Sequence, residues 1–282
     1  MRRTRLGQHF LVDERVLSAI VEAGELSSRD LVLEVGAGEG VLTERLAQKA
    51  GRVVSFEVDP LLFPRAKEWL GAYPHVFLYR EDILRVDLVS LLRSFPETTR
   101  KCIANLPYGI SAAFFTLLLE TTPELLWERF VVTVQYEFGE KLLSLPPEGK
   151  GNPLSVGLAR IFSTERLLVV PPQAFRPPPR VYSLVLLGRR RKDLPQDFIP
   201  FFRFVREVFR HRRKILRSVI PQAEPPIPEL LGKRAEDLTL EEWERFWESV
   251  RVVSPRREGY NGGGERHAEE HLGGGQSHRR QD

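Results

Sequence analysis

The strongest constraint on the fold is an alternation of short apolar runs with amphipathic stretches over the first two-thirds of the chain. The runs predicted as strands are Leu31–Val35, Arg52–Asp59, Val76–Tyr79, Lys101–Ala104 and Phe130–Val134. The stretches between them predicted as helices are Val41–Ala50, Leu61–Leu70, Leu84–Phe95 and Ala112–Leu119. Strands that alternate with helices form crossover units around a mostly parallel sheet. The expected fold is α/β, with ligands bound beyond the carboxyl ends of the strands.

The last third of the chain shows a different pattern. A proline-rich segment, residues 171–183, precedes an apolar run at Leu184–Leu187 that is predicted as a late strand. Helical spacing of apolar residues begins at Asp197 and returns over Glu229–Val250. We expect a sheet domain at residues 1–188, a small helical domain at 189–256 and a disordered tail at 257–282, which is rich in Gly, His, Arg and Gln.

The charge of the chain is unevenly distributed. The net charge is +4, yet the segment from Arg176 to Arg217 holds 13 Arg and Lys against 3 acidic residues, which leaves −6 for the remainder. A concentrated basic segment fits an anionic polymer better than a small acidic ligand, and a solvated basic face is the alternative.

The sequence also argues against several classes of protein. The single cysteine, Cys102, excludes an intrachain disulfide, and no spacing typical of a zinc site occurs. The N-terminal segment lacks the apolar run of a secretory signal, and no apolar stretch is long enough to cross a bilayer. We therefore expect a cytoplasmic protein that has no membrane partner and no metal.

A glycine turn, Glu34–Gly40, follows the first predicted strand and opens a helix. Its spacing is G-x-G-x-G, not the G-x-G-x-x-G of dinucleotide-binding folds. Gly36 and Gly38 allow the backbone to approach a ligand closely. Glu39 would repel a pyrophosphate, whereas the zwitterionic methionine portion of S-adenosylmethionine tolerates a nearby carboxylate.

Acidic residues end the next two predicted strands. Glu57, followed by Val58, lies 21 residues beyond Gly36 and can accept hydrogen bonds from both ribose hydroxyls. Asp82 can accept a hydrogen bond from an adenine amine while Ile83 packs on the ring. These positions indicate a cofactor that contains a nucleoside. Nicotinamide enzymes share part of this arrangement, so the chemistry must be decided elsewhere.

The fourth predicted strand ends in Asn105-Leu106-Pro107-Tyr108. The exocyclic amine of adenine is a poor nucleophile because its lone pair is delocalised into the ring. The Asn105 amide oxygen and the Leu106 carbonyl can accept its two hydrogens and help to localise that lone pair. Pro107 fixes the local backbone, and Tyr108 offers a stacking face worth ~1–3 kcal/mol. A strand-terminating turn with a core tyrosine is the alternative.

At these residues the chain resembles S-adenosylmethionine-dependent methyltransferases that act on adenine and carry an N-[LI]-P-[YF] motif. It is most similar to the ribosomal-RNA adenine dimethyltransferases (KsgA-type), with the Erm methyltransferases as relatives. The resemblance spans about residues 5–220 and includes Gly7–Leu11, the glycine turn, Asn105–Tyr108 and Phe175–Val181. It implies a Rossmann-like class I methyltransferase domain, a small C-terminal helical domain and S-adenosylmethionine as cofactor.

The resemblance also implies roles for single residues. Besides Gly36, Glu57 and Asp82, the resemblance implies cofactor contacts at Gln8, His9, Leu11 and Asn105. Phe175 resembles an aromatic residue that stacks on the flipped adenine opposite Tyr108, and an ordinary core role is its alternative. Tyr182 departs from the family pattern, in which an aspartate is usual at this position.

Two basic segments are expected to form a wall for RNA beside the catalytic pocket. Their residues are Arg189, Arg190, Arg191, Arg210, Arg212, Arg213, Lys214 and Arg217, and residues 210–217 are expected to be helical. The resemblance implies a monomer that acts on small-subunit rRNA or the immature small ribosomal subunit, at two neighbouring adenines near the 3′ end. The alternatives are an Erm-like enzyme for large-subunit rRNA, a non-catalytic assembly factor and a nicotinamide oxidoreductase.

Overall fold

The computed structural model describes residues 9–97, 99–220 and 228–253 of the chain. The predicted contact at Gln8 and the predicted disordered tail at 257–282 lie outside the described residues. Within the described ranges, no helix is long and apolar enough to cross a membrane.

Strands and helices alternate along most of the chain. The strands are β1 (Phe10–Leu11), β2 (Asp30–Val35), β3 (Arg52–Phe56), β4 (Val76–Tyr79), β5 (Thr99–Asn105), β6 (Arg129–Gln135), β7 (Phe162–Val170), β8 (Phe175–Arg176) and β9 (Ser183–Arg190). The helices are α1 (Glu14–Ala23), α2 (Val41–Ala47), α3 (Leu62–Trp69), α4 (Leu88–Arg93), α5 (Ser111–Leu125), α6 (Tyr136–Leu143), α7 (Pro153–Ile161), α8 (Phe198–Phe209), α9 (Leu216–Val219) and α10 (Leu240–Val253).

The main sheet is seven-stranded, with the order β4-β3-β2-β5-β6-β9-β7. β9 is antiparallel to both of its neighbours, and the other strands run in one direction. The predicted mostly parallel α/β sheet is therefore confirmed. We call the edge at which β2 to β6 end the C-terminal edge and the opposite edge the N-terminal edge. Since β9 runs the other way, it begins at the C-terminal edge with Ser183 and finishes at the N-terminal edge with Arg190.

Apolar side chains cover both faces of the sheet because alternate strand residues point to opposite sides. On β2, Leu31 and Leu33 join one apolar cluster and Val32 joins the other. The first cluster continues into α5, α7 and α8, and the second is covered by α1 and α2. This burial on both faces explains why the strands appear in the sequence as nearly continuous apolar runs.

The C-terminal helices share the first apolar cluster with the sheet. The helical pattern predicted from Asp197 is confirmed as α8, which begins one residue later and buries its apolar face against α5 and α7. The predicted domain boundary between residues 188 and 189 falls inside β9. The helix expected over Glu229–Val250 is wrong in its first half, where two short 3₁₀ turns precede α10.

The helix expected over residues 210–217 is also wrong. α8 ends at Phe209, and the amides of Arg210 and Arg212 then bond three residues back, to Glu207 and Phe209. Ile215 is extended, with φ −71° and ψ 152°, and forms a β-bridge with Arg234. This pairing takes the backbone out of the helical region, so the basic segment is a turn followed by the short helix α9.

Candidate active site

A cavity of about 490 Å³ opens at the C-terminal edge of the sheet. It lies among the turns that follow β2, β3, β4 and β5, with β1 beside them. The predicted site residues that line it are His9, Gly36, Gly38, Glu57, Val58, Asp82, Ile83, Asn105, Leu106, Pro107 and Tyr108. The structure thus brings together residues spread over a hundred positions of sequence.

The glycine turn approaches two other walls of the cavity closely. Gly36 and Gly38 have φ of +82° and +60°, in the left-handed region that favours glycine. A Cβ at Gly36 would lie 3.3 Å from the Pro107 ring, and one at Gly38 would lie 3.1 Å from the Phe10 ring. Side chains at these positions would therefore crowd the cavity walls and the space in which a ligand can approach the backbone.

Glu57 is a buried carboxylate held in place by backbone amides. Its Oε2 accepts a hydrogen bond from the Gly38 amide at 2.8 Å, and its Oε1 accepts one from the Asp59 amide at 2.8 Å. Burial raises the pKa of Glu57, although these hydrogen bonds oppose the shift. Each carboxylate oxygen retains a second lone pair, so the fixed group can still accept hydrogen bonds from hydroxyls.

The turn after β4 supplies the next wall. Asp82 Oδ1 accepts a hydrogen bond from the Leu84 amide at 3.0 Å and caps a short 3₁₀ turn. Ile83 is buried and lines the cavity, whereas Val58 is 47% exposed at its mouth. An acid beside an apolar side chain suits the polar edge and the face of a purine.

Asn105 has its amide orientation fixed by the N-terminal segment. Its Nδ2 donates to the His9 carbonyl oxygen at 3.1 Å, which leaves Oδ1 as the acceptor of the pair. The Leu106 amide donates to the Thr133 carbonyl oxygen at 3.2 Å and ties the motif to β6. The motif therefore presents an oriented acceptor at the end of β5.

Tyr108 is held at its hydroxyl and flanked by a ring. Its hydroxyl shares a 2.7 Å hydrogen bond with the Ser183 hydroxyl, and its ring centroid lies 5.7 Å from that of His9. Burial raises the pKa of Tyr108, so the phenol is neutral. Sequence reasoning missed Ser183, because nothing in the sequence shows that the first residue of β9 reaches the end of β5.

Leu11 and Phe175 were expected to contact ligands, but the small β1·β8 ladder turns both away from the cavity. Phe10 pairs with Arg176 and Leu11 pairs with Phe175. Opposite residues of an antiparallel ladder share a face. Phe10 faces the cavity, whereas Leu11 and Phe175 are 6% and 3% exposed in the second apolar cluster. Neither Leu11 nor Phe175 lines the cavity, and the core alternative for Phe175 fits the structure.

Phe10 and Glu34 are two further residues that sequence reasoning missed. Phe10 lines the cavity, and the side-chain alternation of a strand, with Leu11 buried, is the signal that could have identified it. Glu34 is buried below the glycine turn, where its Oε2 accepts hydrogen bonds from the Thr43 and Ser55 hydroxyls, both at 2.6 Å. Burial raises the pKa of Glu34 to about 7. It links β2 to β3 and α2 and thereby supports the turn from beneath.

The first predicted basic segment, Arg189–Arg191, lies away from the cavity. The expectation that it forms a basic wall for RNA beside the catalytic pocket is therefore wrong. β9 carries Arg189 to the N-terminal edge, opposite Arg129 and roughly 20 Å along the strand from Ser183. Arg189 pairs there with Glu165 at 2.6 Å, and Arg191 donates to the Ala159 carbonyl oxygen at 2.9 Å. Arg190 is half-buried in the same strand end.

The second predicted basic segment forms an exposed turn after α8. Arg210, Arg212, Arg213 and Lys214 line a shallow surface pocket there, and Arg217 is exposed in α9. Arg210 pairs with Glu207 at 3.0 Å. Contact of this turn with RNA stays a prediction.

Comparison with known proteins identifies a family that matches most of the chain. The sequence pattern described as "Ribosomal RNA adenine dimethylase" matches residues 1–229, a range that contains every residue of the cavity lining. A protein of Thermotoga maritima named "Ribosomal RNA small subunit methyltransferase A" is 36% identical over 250 residues, which cover 88% of this chain and 85% of the relative.

Two solved structures have a similar fold. A dimethyladenosine transferase from Plasmodium falciparum superposes with a TM-score of 0.71 at 21% identity and covers 86% of this chain and 98% of its own. The 23S rRNA methyltransferase ErmE superposes with a TM-score of 0.67 at 26% identity and covers 86% and 99%, respectively. Both likenesses therefore extend over nearly the whole described fold.

Proposed function

The chain belongs to the ribosomal RNA adenine dimethylase family, and from this premise we propose that it methylates the exocyclic amine of adenines in small-subunit rRNA with S-adenosylmethionine. The observation that carries the proposal is the oriented amide of Asn105 at the end of β5. Its Oδ1 is left as an acceptor in a residue that lines the same cavity as the glycine turn and Glu57.

The acceptors and apolar side chains of the cavity support S-adenosylmethionine as the cofactor. Glu57 would accept hydrogen bonds from the ribose hydroxyls, Asp82 would accept one from the adenine amine, and Ile83 and Val58 would pack on the base. Gly36 and Gly38 would let the methionine portion lie against the backbone, since a Cβ there would fill the space. When bound, S-adenosylmethionine supplies a methyl group activated by a sulfonium.

The chain's own residues would orient the amine for attack. Asn105 Oδ1 and the Leu106 carbonyl would accept its two hydrogens, which directs the lone pair of the nitrogen out of the ring. Tyr108 would stack on the unpaired base, and its hydrogen bond to Ser183 limits rotation of the ring. Positioning of this kind contributes to rate because the donor is already activated.

The proposal extends to the target. We place the methyl groups on two neighbouring adenines near the 3′ end of small-subunit rRNA, each converted to dimethyladenine by a monomeric cytoplasmic enzyme that acts on rRNA or the immature small subunit. The name of the Thermotoga relative supports the small subunit. The likeness to ErmE keeps large-subunit rRNA as the second candidate, and mapping of modified nucleotides by primer extension separates the two.

Asn105→Ala tests the proposal. We expect turnover on immature small subunits to be abolished while the affinity for S-adenosylmethionine changes little, because the lost acceptor acts on the amine. Near-normal turnover would remove Asn105 from this role. Asn152→Ala is the matched control: it removes the side-chain cap of α7, costs about 1 kcal/mol of stability and leaves turnover intact. Absence of methyl transfer by the unaltered chain to any rRNA precursor would favour the non-catalytic assembly factor.

A further inference from the structure

A short segment at the C-terminal edge presents two arginines and a tyrosine to solvent beside the cavity. We propose that Arg176, Arg180 and Tyr182, here called the rim, bind the RNA strand next to the target adenine. The arginines contact backbone phosphates, and the Tyr182 ring stacks on a flanking base. This inference rests on the proposed function and assigns the RNA contacts nearest to the reacting base.

Arg176 stands on the cavity side of the β1·β8 ladder. It lies directly opposite Phe10, which lines the cavity, and opposite residues of an antiparallel ladder share a face with Cα atoms about 4.5–5.5 Å apart. Its side chain is exposed and forms no ion pair with any residue that the structure describes. The charge of Arg176 is therefore available for a phosphate at the mouth of the cavity.

The segment that carries Arg180 is anchored at several points. His9 Nδ1 donates to the Pro177 carbonyl oxygen at 2.7 Å, and Pro179 is buried. Three successive prolines restrict the backbone before Arg180. An anchored, proline-rich segment loses little conformational entropy on binding. Arg180 is exposed at its end and, like Arg176, has no ion pair within the described part of the chain.

Tyr182 is held by its backbone and leaves its ring in solvent. Its carbonyl oxygen accepts a hydrogen bond from the Tyr136 amide at 3.0 Å, and the next residue, Ser183, bonds to Tyr108. The side chain is 54% exposed and so contributes little to the core. An aromatic ring fixed one residue from the support of the catalytic tyrosine can stack on a base of any identity.

The geometry of a nucleic acid strand favours contacts at this edge. A base inside the cavity remains linked to its own phosphates, so the neighbouring nucleotides must cross the cavity mouth. The rim is at that mouth, whereas Arg189 and Arg191 are at the other edge of the sheet. Phosphate contacts and stacking set the position of the strand without reading its sequence. The rim therefore holds the strand, and target choice comes from elsewhere.

Charge neutralisation at the two edges tests the arginines. The probe is a fluorescent single-stranded oligonucleotide from the 3′ end of small-subunit rRNA, titrated by anisotropy over a series of salt concentrations. Arg176→Gln/Arg180→Gln should weaken binding about tenfold and reduce the slope of log affinity against log salt by about 1.4, which corresponds to two phosphate contacts on a single strand. The control Arg29→Gln/Lys49→Gln removes the same charge from exposed positions before β2 and β3, at the N-terminal edge. Equal effects of the two double variants would overturn the proposal.

Kinetics test the tyrosine. Tyr182→Ala should raise KM for RNA about 5-fold to 140-fold, as expected for a lost stacking contact, with kcat and the affinity for S-adenosylmethionine unchanged. Tyr182→Phe should restore KM because it keeps the ring. A wild-type KM for Tyr182→Ala would refute the stacking role. Failure of the unaltered chain to methylate rRNA would contradict the proposed function. The anisotropy comparison needs no turnover, so it would still show whether the rim binds RNA.

Discussion

At the scale of single residues, the site depends on polar groups that distant parts of the chain hold in place. Asn105 is oriented by a carbonyl 96 positions earlier in the sequence, and Tyr108 by a hydroxyl 75 positions later. Glu34 and Glu57 support the glycine turn in the same way. The chemistry of each residue type is evident from the sequence, but the partner that fixes its orientation is not.

Glu34 should give the protein a specific pH dependence. Its pKa rises from 4.5 to about 7 on folding, so between these values the folded state holds a proton that the unfolded state has lost. Its contribution to the free energy of unfolding is complete below pH 4.5 and declines by about 3 kcal/mol as pH rises through 7. We expect the stability advantage of Glu34→Gln over the unaltered protein to grow by that amount over this range, measured by urea denaturation.

The control for this series is Glu22→Gln, which removes the same charge from an exposed position on α1. Because both variants are compared with the unaltered protein at each pH, the titration of all other groups cancels. Parallel stability curves for Glu34→Gln and the unaltered protein would show that burial does not hold the Glu34 proton.

At the scale of elements, the helices α5, α7 and α8 are closely packed against one another. Gly157 lies in the middle of α7, where a Cβ would be 2.8 Å from the Phe202 ring of α8 and 2.9 Å from Leu119 of α5. Both neighbours are buried in the first apolar cluster and cannot move freely. Glycine is thus the residue that lets α8 pack directly on the helices that cover the sheet.

Gly157→Ala tests this packing through two opposing effects. Alanine is favoured over glycine inside a helix by ~1 kcal/mol, whereas overpacking a close-packed core costs ~1–3 kcal/mol. We expect the cost to prevail, with a net loss of up to about 2 kcal/mol in the free energy of unfolding. Gly71→Ala is the control, since a Cβ there meets nothing within 4 Å. A Gly157→Ala protein as stable as the Gly71→Ala protein would contradict the close packing of the three helices.

At the scale of the whole molecule, the direction of one strand divides the basic residues into separate surfaces. The segment from Arg176 to Arg217 is continuous in sequence, yet β9 carries it from the C-terminal edge to the N-terminal edge. The rim stays at the cavity mouth, Arg189–Arg191 lie at the far edge, and the turn after α8 forms a third surface. A single basic wall is therefore replaced by three smaller patches.

The turn after α8 remains a predicted RNA contact. Arg212→Gln/Arg213→Gln/Lys214→Gln should weaken binding of small-subunit rRNA and lower the salt slope by about 2, if each residue meets one phosphate. Arg189→Gln/Arg190→Gln/Arg191→Gln should weaken RNA binding less, because these three residues lie at the N-terminal edge of the sheet. Affinity of the first variant equal to that of the unaltered protein at both low and moderate salt would exclude the turn from the interface.

The sequence by itself determined the fold class and most of the cavity. Local apolar periodicity predicted five of the six strands that run in one direction, because a strand buried on both faces leaves a continuous apolar run; β7, the sixth, is partly exposed and was missed. Residues at the ends of those strands then meet at one edge as a consequence of parallel topology, which is why Gly36, Glu57, Asp82 and Asn105 were predicted together.

Only the tertiary structure decided the features that depend on contacts between distant segments. The β1·β8 ladder directs Phe10 to the cavity, leaves Arg176 exposed opposite it, and directs Leu11 and Phe175 to the core. The antiparallel course of β9 separates Ser183 from Arg189. Strand pairing and strand direction are set by long-range hydrogen bonds and shared burial, and neither leaves a local pattern in the residues concerned.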